Sequence, residues 1–220
     1  MVTLKSIKQN EEVKALIKTT EKQIDALAYT EHSNRHASIV SSWTGMILKE
    51  IGESAKNIRL GEIAGYLHDI GNALSRYNHA QSGALLAYRI LTQMGMSYSD
   101  AGEIMMAIGN HDEEKGVPVS VLTSALIIAD KSDVHKSRVK DKFIDEDTNI
   151  HDRVNLAVNR SYITVNKEKK SIDTIVEIDG NICSVSDYFE IYHSRMTMCS
   201  KAADLIGYKY GLIINNVKML

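Results

Sequence analysis

The sequence predicts a mainly α-helical protein with a small β-hairpin near its C-terminus. Apolar residues recur with a period near 3.6 over long segments, which is the pattern of amphipathic helices. The 220 residues include a single proline, Pro118, and 6% aromatic residues, a composition that fits helices better than a large sheet. A chain of this length buries roughly 70% of its unfolded surface. That is enough for one large helical domain, alone or with an appendage.

Six helices are predicted in the first 140 residues. Their apolar periodicity places them near residues 11–28, 36–52, 57–69, 79–94, 97–108 and 119–137. The charged segment 138–147 then predicts a linker or surface connection.

The character of the sequence changes after a short predicted helix near residues 151–159. Two runs rich in β-branched residues, 162–165 and 172–178, flank the polar stretch 166–170, which predicts a hairpin. A long helix near 186–208 follows, and its apolar stripe consists of Phe189, Tyr192, Met196, Cys199, Ala203 and Ile206. We therefore expect residues 1–160 to form a helical core, with 161–220 as a hairpin and helix packed on it rather than necessarily a separate domain.

Charge, cysteine content and hydropathy narrow the function classes. A net charge of -2 gives no indication of a general nucleic-acid or membrane-surface binder. Cys183 and Cys199 are too few for a disulfide framework and suit a reducing compartment. The apolar stretch 121–129 is too short to span a bilayer, and no targeting segment is visible. A cytoplasmic location is the resulting expectation.

Six residues with metal-binding side chains stand out: His36, His68, Asp69, His79, His111 and Asp130. Imidazole and carboxylate suit Fe, Mn, Co, Ni or Zn, and the lack of nearby cysteine argues against a structural zinc site. An Asp directly after a His can also bridge two ions while its neighbour binds one of them. No organic cofactor is expected.

The local sequence places each candidate ligand at a helix terminus or first turn. His36 lies on the inward face of its predicted helix. His68-Asp69 closes the apolar run 63–67, and Ile70-Gly71 follows as a helix-stop signal. The other three follow the same rule: His79 opens a helix, His111 follows the Gly109-Asn110 break, and Asp130 ends the run 121–129.

Neither the His-Asp dipeptide nor a lone histidine is diagnostic, because a buried histidine is usually a satisfied core residue. His111-Asp112 runs into charged residues, which predicts a solvated loop at 112–115, and His151-Asp152 follows the polar stretch 145–149. His68-Asp69 differs because it ends an apolar helix. His32, one turn before His36, is expected to be an exposed residue at a helix start, although it could also join the site.

The order His36, His68-Asp69, Asp130 resembles the HD superfamily of metal-dependent phosphohydrolases. The local strings His68-Asp69-Ile70-Gly71 and Ile128-Ala129-Asp130-Lys131-Ser132-Asp133 carry this resemblance over roughly the first two thirds of the chain. His79 and His111 resemble the additional histidines of the subgroup that binds a second metal. The resemblance implies an HD-domain helical bundle with one or two divalent transition metal ions.

The implied activity is hydrolysis of a phosphomonoester or phosphodiester, such as a nucleotide or related small molecule, by a metal-held hydroxide. Asp69, Lys131 and Asp133 are the candidate catalytic residues. Arg76, Lys131 and Arg138 are the candidate substrate-binding residues, because a cation there could neutralise developing phosphoryl charge. An ordinary surface salt bridge explains Lys131 and Asp133 equally well. The expected partner is a small phosphate-containing substrate, with no nucleic acid and no membrane.

Departures from two branches of the superfamily limit the substrate. The cyclic-dinucleotide phosphodiesterase branch carries a Lys where this chain has Asn72 and a His where it has Asn110, and its Gly-Tyr-Pro signature has no counterpart here. A third metal and that specificity are therefore not expected. In the diadenosine tetraphosphate hydrolase branch, more residues separate the His-Asp pair from the next histidine than separate Asp69 from His79 here. That substrate is therefore not assigned to this chain either.

Two other function classes remain open from the sequence. Some HD-fold proteins use a di-iron site with the same His/Asp order to activate oxygen. Alternatively, the chain could be a non-catalytic metal or nucleotide sensor whose C-terminal hairpin and helix form a partner or homodimer surface. The complete ligand set argues against the sensor, because a module that only binds does not need all six residues.

Overall fold

The computed structural model describes residues 1–27, 34–139 and 149–220. The helices are α1 (Leu4–Gln9), α2 (Glu11–Ala26), α3 (Asn34–Ile51), α4 (Ala55–Leu67), α5 (His79–Gln93), α6 (Tyr98–Gly109), α7 (Val121–Lys131), α8 (Ile150–Ala157) and α9 (Val185–Leu205). The strands are β1 (Val158–Asn166), β2 (Ser171–Ile178), β3 (Lys209–Ile214) and β4 (Val217–Lys218). This confirms the mainly helical fold with a small C-terminal β-structure. His32 and most of the predicted linker lie outside the described residues. Within those ranges, none of the helices has the length and apolar character needed to cross a bilayer.

The helical body is built from α3 to α7, which pack against one another around one apolar core. Its centre contains Ile47, Leu67 and Leu126, all fully buried. Serine N-caps start three of these helices, since the side chains of Ser54, Ser97 and Ser120 each accept a hydrogen bond from the backbone amide three residues later. The short helix α1 was not predicted from the sequence.

Helix α7 ends six residues earlier than predicted, at Lys131, and a 3₁₀ turn follows at Lys136–Arg138. The reason is a contact with the sheet. The Ser132 hydroxyl donates to the Ile128 carbonyl and lies 2.7 Å from the Thr174 hydroxyl of β2, and Ser161 of β1 donates to the Ser132 carbonyl. Strand side chains therefore satisfy polar groups at this helix end, which local periodicity cannot reveal.

Gly71 does not act as the predicted helix stop. Helix α4 already ends at Leu67, and Gly71 lies in a 3₁₀ turn, Ile70–Ala73, without a positive φ. A Cβ at this position would collide with the backbone oxygen of His79 and lie 2.5 Å from the amide nitrogen of Gly83. The glycine is needed because the start of α5 packs directly on the turn after Asp69.

The C-terminal sheet extends the predicted hairpin. Strands β1 and β2 pair antiparallel, with Asn166 opposite Ser171, as the sequence predicts. Strand β3 then pairs parallel with β2, α9 forms the crossover that a parallel connection requires, and β4 completes the order β1-β2-β3-β4. The last two strands were missed, although Asn215 and Asn216, both with positive φ, form the two-residue turn typical of a tight hairpin.

Residues of this sheet contribute to two apolar clusters. Ile163, Ile172 and Cys199 join the core of the helical body, whereas Val176 and Leu212 pack in a second cluster with the first half of α9. Helix α9 also packs on α7, and this contact brings the C-terminal region against the helix that carries Asp130. The division of the chain near residue 160 stays a prediction.

Candidate metal centre

Four of the predicted ligands meet where the ends of α4 and α7 face the first turn of α3. His36 Nε2 lies 3.2 Å from His68 Nε2 and 3.2 Å from Asp130 Oδ1. His68 Nε2 lies 3.3 Å from Asp69 Oδ2 and 3.5 Å from Asp130 Oδ1. Two atoms bound to one ion at about 2.1 Å lie roughly 3.0–3.4 Å apart in octahedral or tetrahedral geometry. The observed spacings therefore suit one shared divalent ion.

The remaining two histidines approach the other oxygen of the same carboxylate. Asp69 Oδ1 lies 3.5 Å from His79 Nε2 and 3.9 Å from His111 Nε2. The His111 ring lies between those of His68 and His79, with centroid distances of 5.0 and 5.1 Å. Asp69 thus separates two groups of nitrogen ligands and presents one oxygen to each.

Every imidazole of the cluster is anchored through its outer nitrogen. His36 Nδ1 lies 2.7 Å from Asp133 Oδ2. The other three donate Nδ1–H to the backbone carbonyl three residues earlier: His68 to Gly65, His79 to Arg76 and His111 to Ile108. A carbonyl only accepts, so in the neutral ring the proton sits on Nδ1 and the Nε2 lone pair faces the centre. This is the tautomer that a metal ligand needs.

The donor set fits a divalent transition metal. His111 Nε2 is buried and makes no hydrogen bond to any part of the chain that the structure describes, and an unsatisfied buried polar atom is costly. Two triads, His36/His68/Asp130 and His68/Asp69/His111, each have ligand atoms within 4.8 Å of one another. His79 lies outside both triads and approaches through Asp69. Nitrogen and carboxylate donors suit the predicted metals without selecting one.

The electrostatics of the cluster show a site arranged for a cation. Burial alone would lower the pKa of His68, but the facing carboxylates Asp69 and Asp130 raise it to about 10. Burial alone would raise the pKa of Asp130, but Lys131, His36 and His68 hold it well below the usual value. His111 has a pKa lowered to about 3 by burial and by the nearby His68 and Lys131. It is therefore a neutral ligand.

A line of charges extends from Asp130 to the C-terminal helix. Lys131 Nζ lies 2.7 Å from Asp130 Oδ2 and 2.5 Å from Glu113 Oε2, and Arg195 Nε of α9 lies 3.0 Å from Glu113 Oε1. The predicted solvated loop at 112–115 is wrong at Glu113, whose side chain is only 16% exposed. Glu113 and Arg195 had no local signal, because 82 residues separate them.

The predicted substrate-binding residues line one polar cavity beside the metal ligands. Arg76, Lys131 and Arg138 border it together with Glu113 and Arg195, and it encloses about 300 Å³ including its open mouth. The alternative of a surface salt bridge is wrong for Lys131, since its side chain is only 7% exposed.

The remaining predicted positions lie away from this cavity. Asp133 is not among its lining residues. It lies behind His36, where Arg35 donates to its carboxylate. His151-Asp152 falls in α8, where the Asp152 amide donates to the cap residue Asn149. The structure thus brings the six candidate ligands together and leaves that other His-Asp pair outside.

Several known proteins resemble this chain in sequence or in structure. No family model matches the chain. Ribonuclease Y of Lawsonia intracellularis is 37% identical over 98 residues, covering 43% of this chain and 17% of that protein. Ribonuclease Y of Latilactobacillus sakei is 33% identical over 103 residues, covering 44% and 18%. The chain therefore spans less than a fifth of the length of these relatives.

Two further similarities are broader. An uncharacterized protein of Methanocaldococcus jannaschii is 24% identical over 187 residues, covering 74% of this chain and 71% of that protein. A crystal structure titled a predicted HD superfamily hydrolase, from an uncultured Thermotogales bacterium, aligns with a TM-score of 0.45 and 23% identity over 61% of this chain and 75% of the other. Ribonuclease Y proteins contain HD domains, and the His/Asp cluster fits the HD motif. The resemblance to the HD superfamily is confirmed.

Proposed function

From this HD-type centre we propose that the protein is a metal-dependent phosphohydrolase acting on a phosphomonoester or phosphodiester, in a nucleotide or related small molecule. One observation carries the proposal. Four imidazole Nε2 atoms and two carboxylates converge beside a cavity lined by Arg76, Lys131 and Arg138. Metal ligands next to cations are what phosphoryl transfer requires, because its transition state spreads negative charge over the phosphoryl oxygens.

The ligands divide naturally between two ions. His36, His68 and Asp130 would hold one and His79 and His111 the other, with Asp69 placed to reach both. The chemistry that divalent ions supply when bound here is Lewis acidity, which lowers the pKa of a coordinated water and neutralises phosphoryl oxygens.

The chain's own residues contribute charge and orientation. Asp130 and Glu113 outweigh the effect of burial and raise the pKa of Lys131, so this side chain stays protonated and can neutralise a phosphoryl oxygen. Arg138 is anchored by donating to the Asp133 carbonyl and Arg76 by donating to Asn72. For Asp133 we propose a positioning role instead of acid–base catalysis, because its carboxylate holds His36 Nδ1 on the side facing away from the centre.

Elemental analysis combined with a phosphate-release screen tests the proposal. The purified protein is assayed over nucleotides and sugar phosphates with Mn, Co, Fe and Ni added in turn. We expect close to two ions per chain and release from one substrate class. His68→Ala and Asp69→Ala should lose both properties, whereas His151→Ala, in the other His-Asp pair, should keep both. Full activity and metal content in the first two variants would refute the proposal, and one ion per chain would remove His79 and His111 from the ligand set.

Hydrolysis of RNA is the second candidate, and the sequence similarity to Ribonuclease Y favours it. The same metal centre could act on an RNA phosphodiester, because the ligands do not select the leaving group. A labelled single-stranded RNA assayed beside the small-molecule panel separates the two. Cleavage of RNA at rates above those of every small substrate would favour the ribonuclease.

A further inference from the structure

Arg195 is the contribution of the C-terminal helix α9 to the cavity beside the metal ligands. Two contacts hold its guanidinium. Nε donates to Glu113 Oε1 at 3.0 Å, and Cζ lies 4.8 Å from the centre of the Tyr192 ring. The terminal nitrogens Nη1 and Nη2 make no hydrogen bond within the described ranges. The guanidinium is therefore fixed in place through one nitrogen while its two terminal N–H₂ groups remain available.

The other cations of the cavity use terminal nitrogens in contacts with the protein. Arg76 Nη1 donates to Asn72. Lys131 is paired with two carboxylates, Asp130 and Glu113, and Arg138 donates to the Asp133 carbonyl. Arg195 is linked to the ligand Asp130 through Glu113 and Lys131, and it borders the same cavity. Its two terminal N–H₂ groups take no part in this chain of contacts. A planar guanidinium with two available N–H₂ groups is suited to bidentate recognition of a phosphate or carboxylate.

The charge of the cavity favours a dianion. Four cationic side chains and three carboxylates line it, and divalent ions at the ligands would shift the balance further towards positive charge. A phosphodiester carries one negative charge and two non-bridging oxygens, whereas a phosphomonoester dianion carries three terminal oxygens. If the metal centre engaged two oxygens of a phosphomonoester, the third terminal oxygen would remain available to a side chain of the protein.

We propose that Arg195 is a specificity-determining residue that binds the terminal phosphoryl dianion of a phosphomonoester, so that the C-terminal helix selects monoesters over diesters. This inference rests on the proposed phosphohydrolase function. Glu113 and Tyr192 act as positioning residues, because they hold the guanidinium at the cavity wall.

Binding of inorganic phosphate to the metal-loaded protein gives a test that needs no turnover. Calorimetric titration of Arg195→Gln should show affinity weakened roughly tenfold or more, as expected for loss of a charge-assisted bidentate contact, and Arg195→Lys should be intermediate. Arg160→Gln is the matched control: Arg160 also pairs with a glutamate, Glu177, and lies over a tyrosine, Tyr162, but away from the cavity. It should bind phosphate like the wild type. Wild-type affinity in a metal-loaded Arg195→Gln protein would overturn the inference.

Substrate discrimination gives the second test. With p-nitrophenyl phosphate and bis(p-nitrophenyl) phosphate, Arg195→Gln should raise KM for the monoester and lower its kcat/KM roughly tenfold relative to that for the diester. Equal losses on both substrates would assign Arg195 a structural role and overturn the inference. If the wild type hydrolyses neither compound, the phosphate titration alone decides the role of Arg195, and the nucleotide and sugar-phosphate screen decides the proposed function. If Arg195→Gln does not fold, the same comparisons with Arg195→Lys decide.

Discussion

The helical body and the C-terminal sheet region bury polar side chains in different ways. In residues 149–220 the buried polar residues are Asn155 and Thr174, and each is satisfied by neighbouring groups, Asn155 by Tyr192 and Thr174 by Tyr210. In the helical body, four histidines and the neighbouring carboxylates are buried at one place.

The difference between dispersed and clustered buried polar groups separates the needs of folding from those of function. A buried polar group costs free energy unless it is satisfied, so a fold without a site disperses such groups and pairs each one. Concentration of several ligand-type groups, one of them lacking a hydrogen bond, indicates a place kept for an ion. The sheet region instead contributes apolar packing and, through Arg195, one charge that reaches the cavity of the helical body.

The largest expected effect is a loss of stability in the sheet region that leaves the metal content of the helical body unchanged. Leu212 of β3 is fully buried in the second apolar cluster, and Leu212→Ala should lower the free energy of unfolding by about 2–5 kcal/mol through the cavity it leaves. Metal content per folded chain should not change. Denaturant unfolding and elemental analysis measure both quantities. A fall in metal content in the folded variant would show that the centre depends on packing in the sheet region.

A pair of glycine variants tests the close contact beneath the metal centre. Gly71→Ala places a methyl group against the backbone of His79 and Gly83, and overpacking of this kind costs about 1–3 kcal/mol. It should also displace His79. Gly102→Ala in α6 meets no atom within 4 Å and should gain roughly 0.5–1 kcal/mol from helix propensity. Equal melting temperatures for the two variants would contradict the predicted role of the contact.

Removing the group behind His36 should affect the centre without removing a ligand. Asp133→Asn keeps the shape of the side chain but weakens its interaction with His36 Nδ1 and Arg35. Loss of such an outer partner typically costs about 10–100-fold in metal affinity or activity. Metal titration of the folded variant measures the effect. An unchanged metal affinity would show that the helix alone orients His36.

The smallest expected effect concerns the cysteine at the boundary of the two regions. Burial raises the pKa of Cys199 to about 12, and the residue is 1% exposed. Because the thiolate is the reactive form, alkylation at pH 8 should be slow in the native protein and fast in denaturant. Mass spectrometry of a time course measures the rates. Rapid native labelling of Cys199 would mean that α9 opens away from the helical body.

Much of the helical body could be predicted from the sequence because its signals are local. Apolar periodicity locates α3 to α6 to within a few residues, and the ends of those periodic runs identify His36, His79 and His111 as residues at helix termini. Where long-range contacts decide, the same reasoning fails. Helix α7 ends at Lys131 because β1 and β2 supply hydrogen bonds to Ser132, and Gly71 serves a contact with α5 rather than a helix end.

The sequence by itself determined the residue types of the site and their helical setting, because spacing, helix signals and side-chain chemistry are properties of short segments. The tertiary structure decided which atoms meet. It turns each Nε2 inward by anchoring Nδ1, sets Asp133 behind His36, and joins Glu113 to Lys131 and Arg195 across 82 residues of chain. Such pairings depend on how helices pack, and packing is a property of the whole core that no local pattern records.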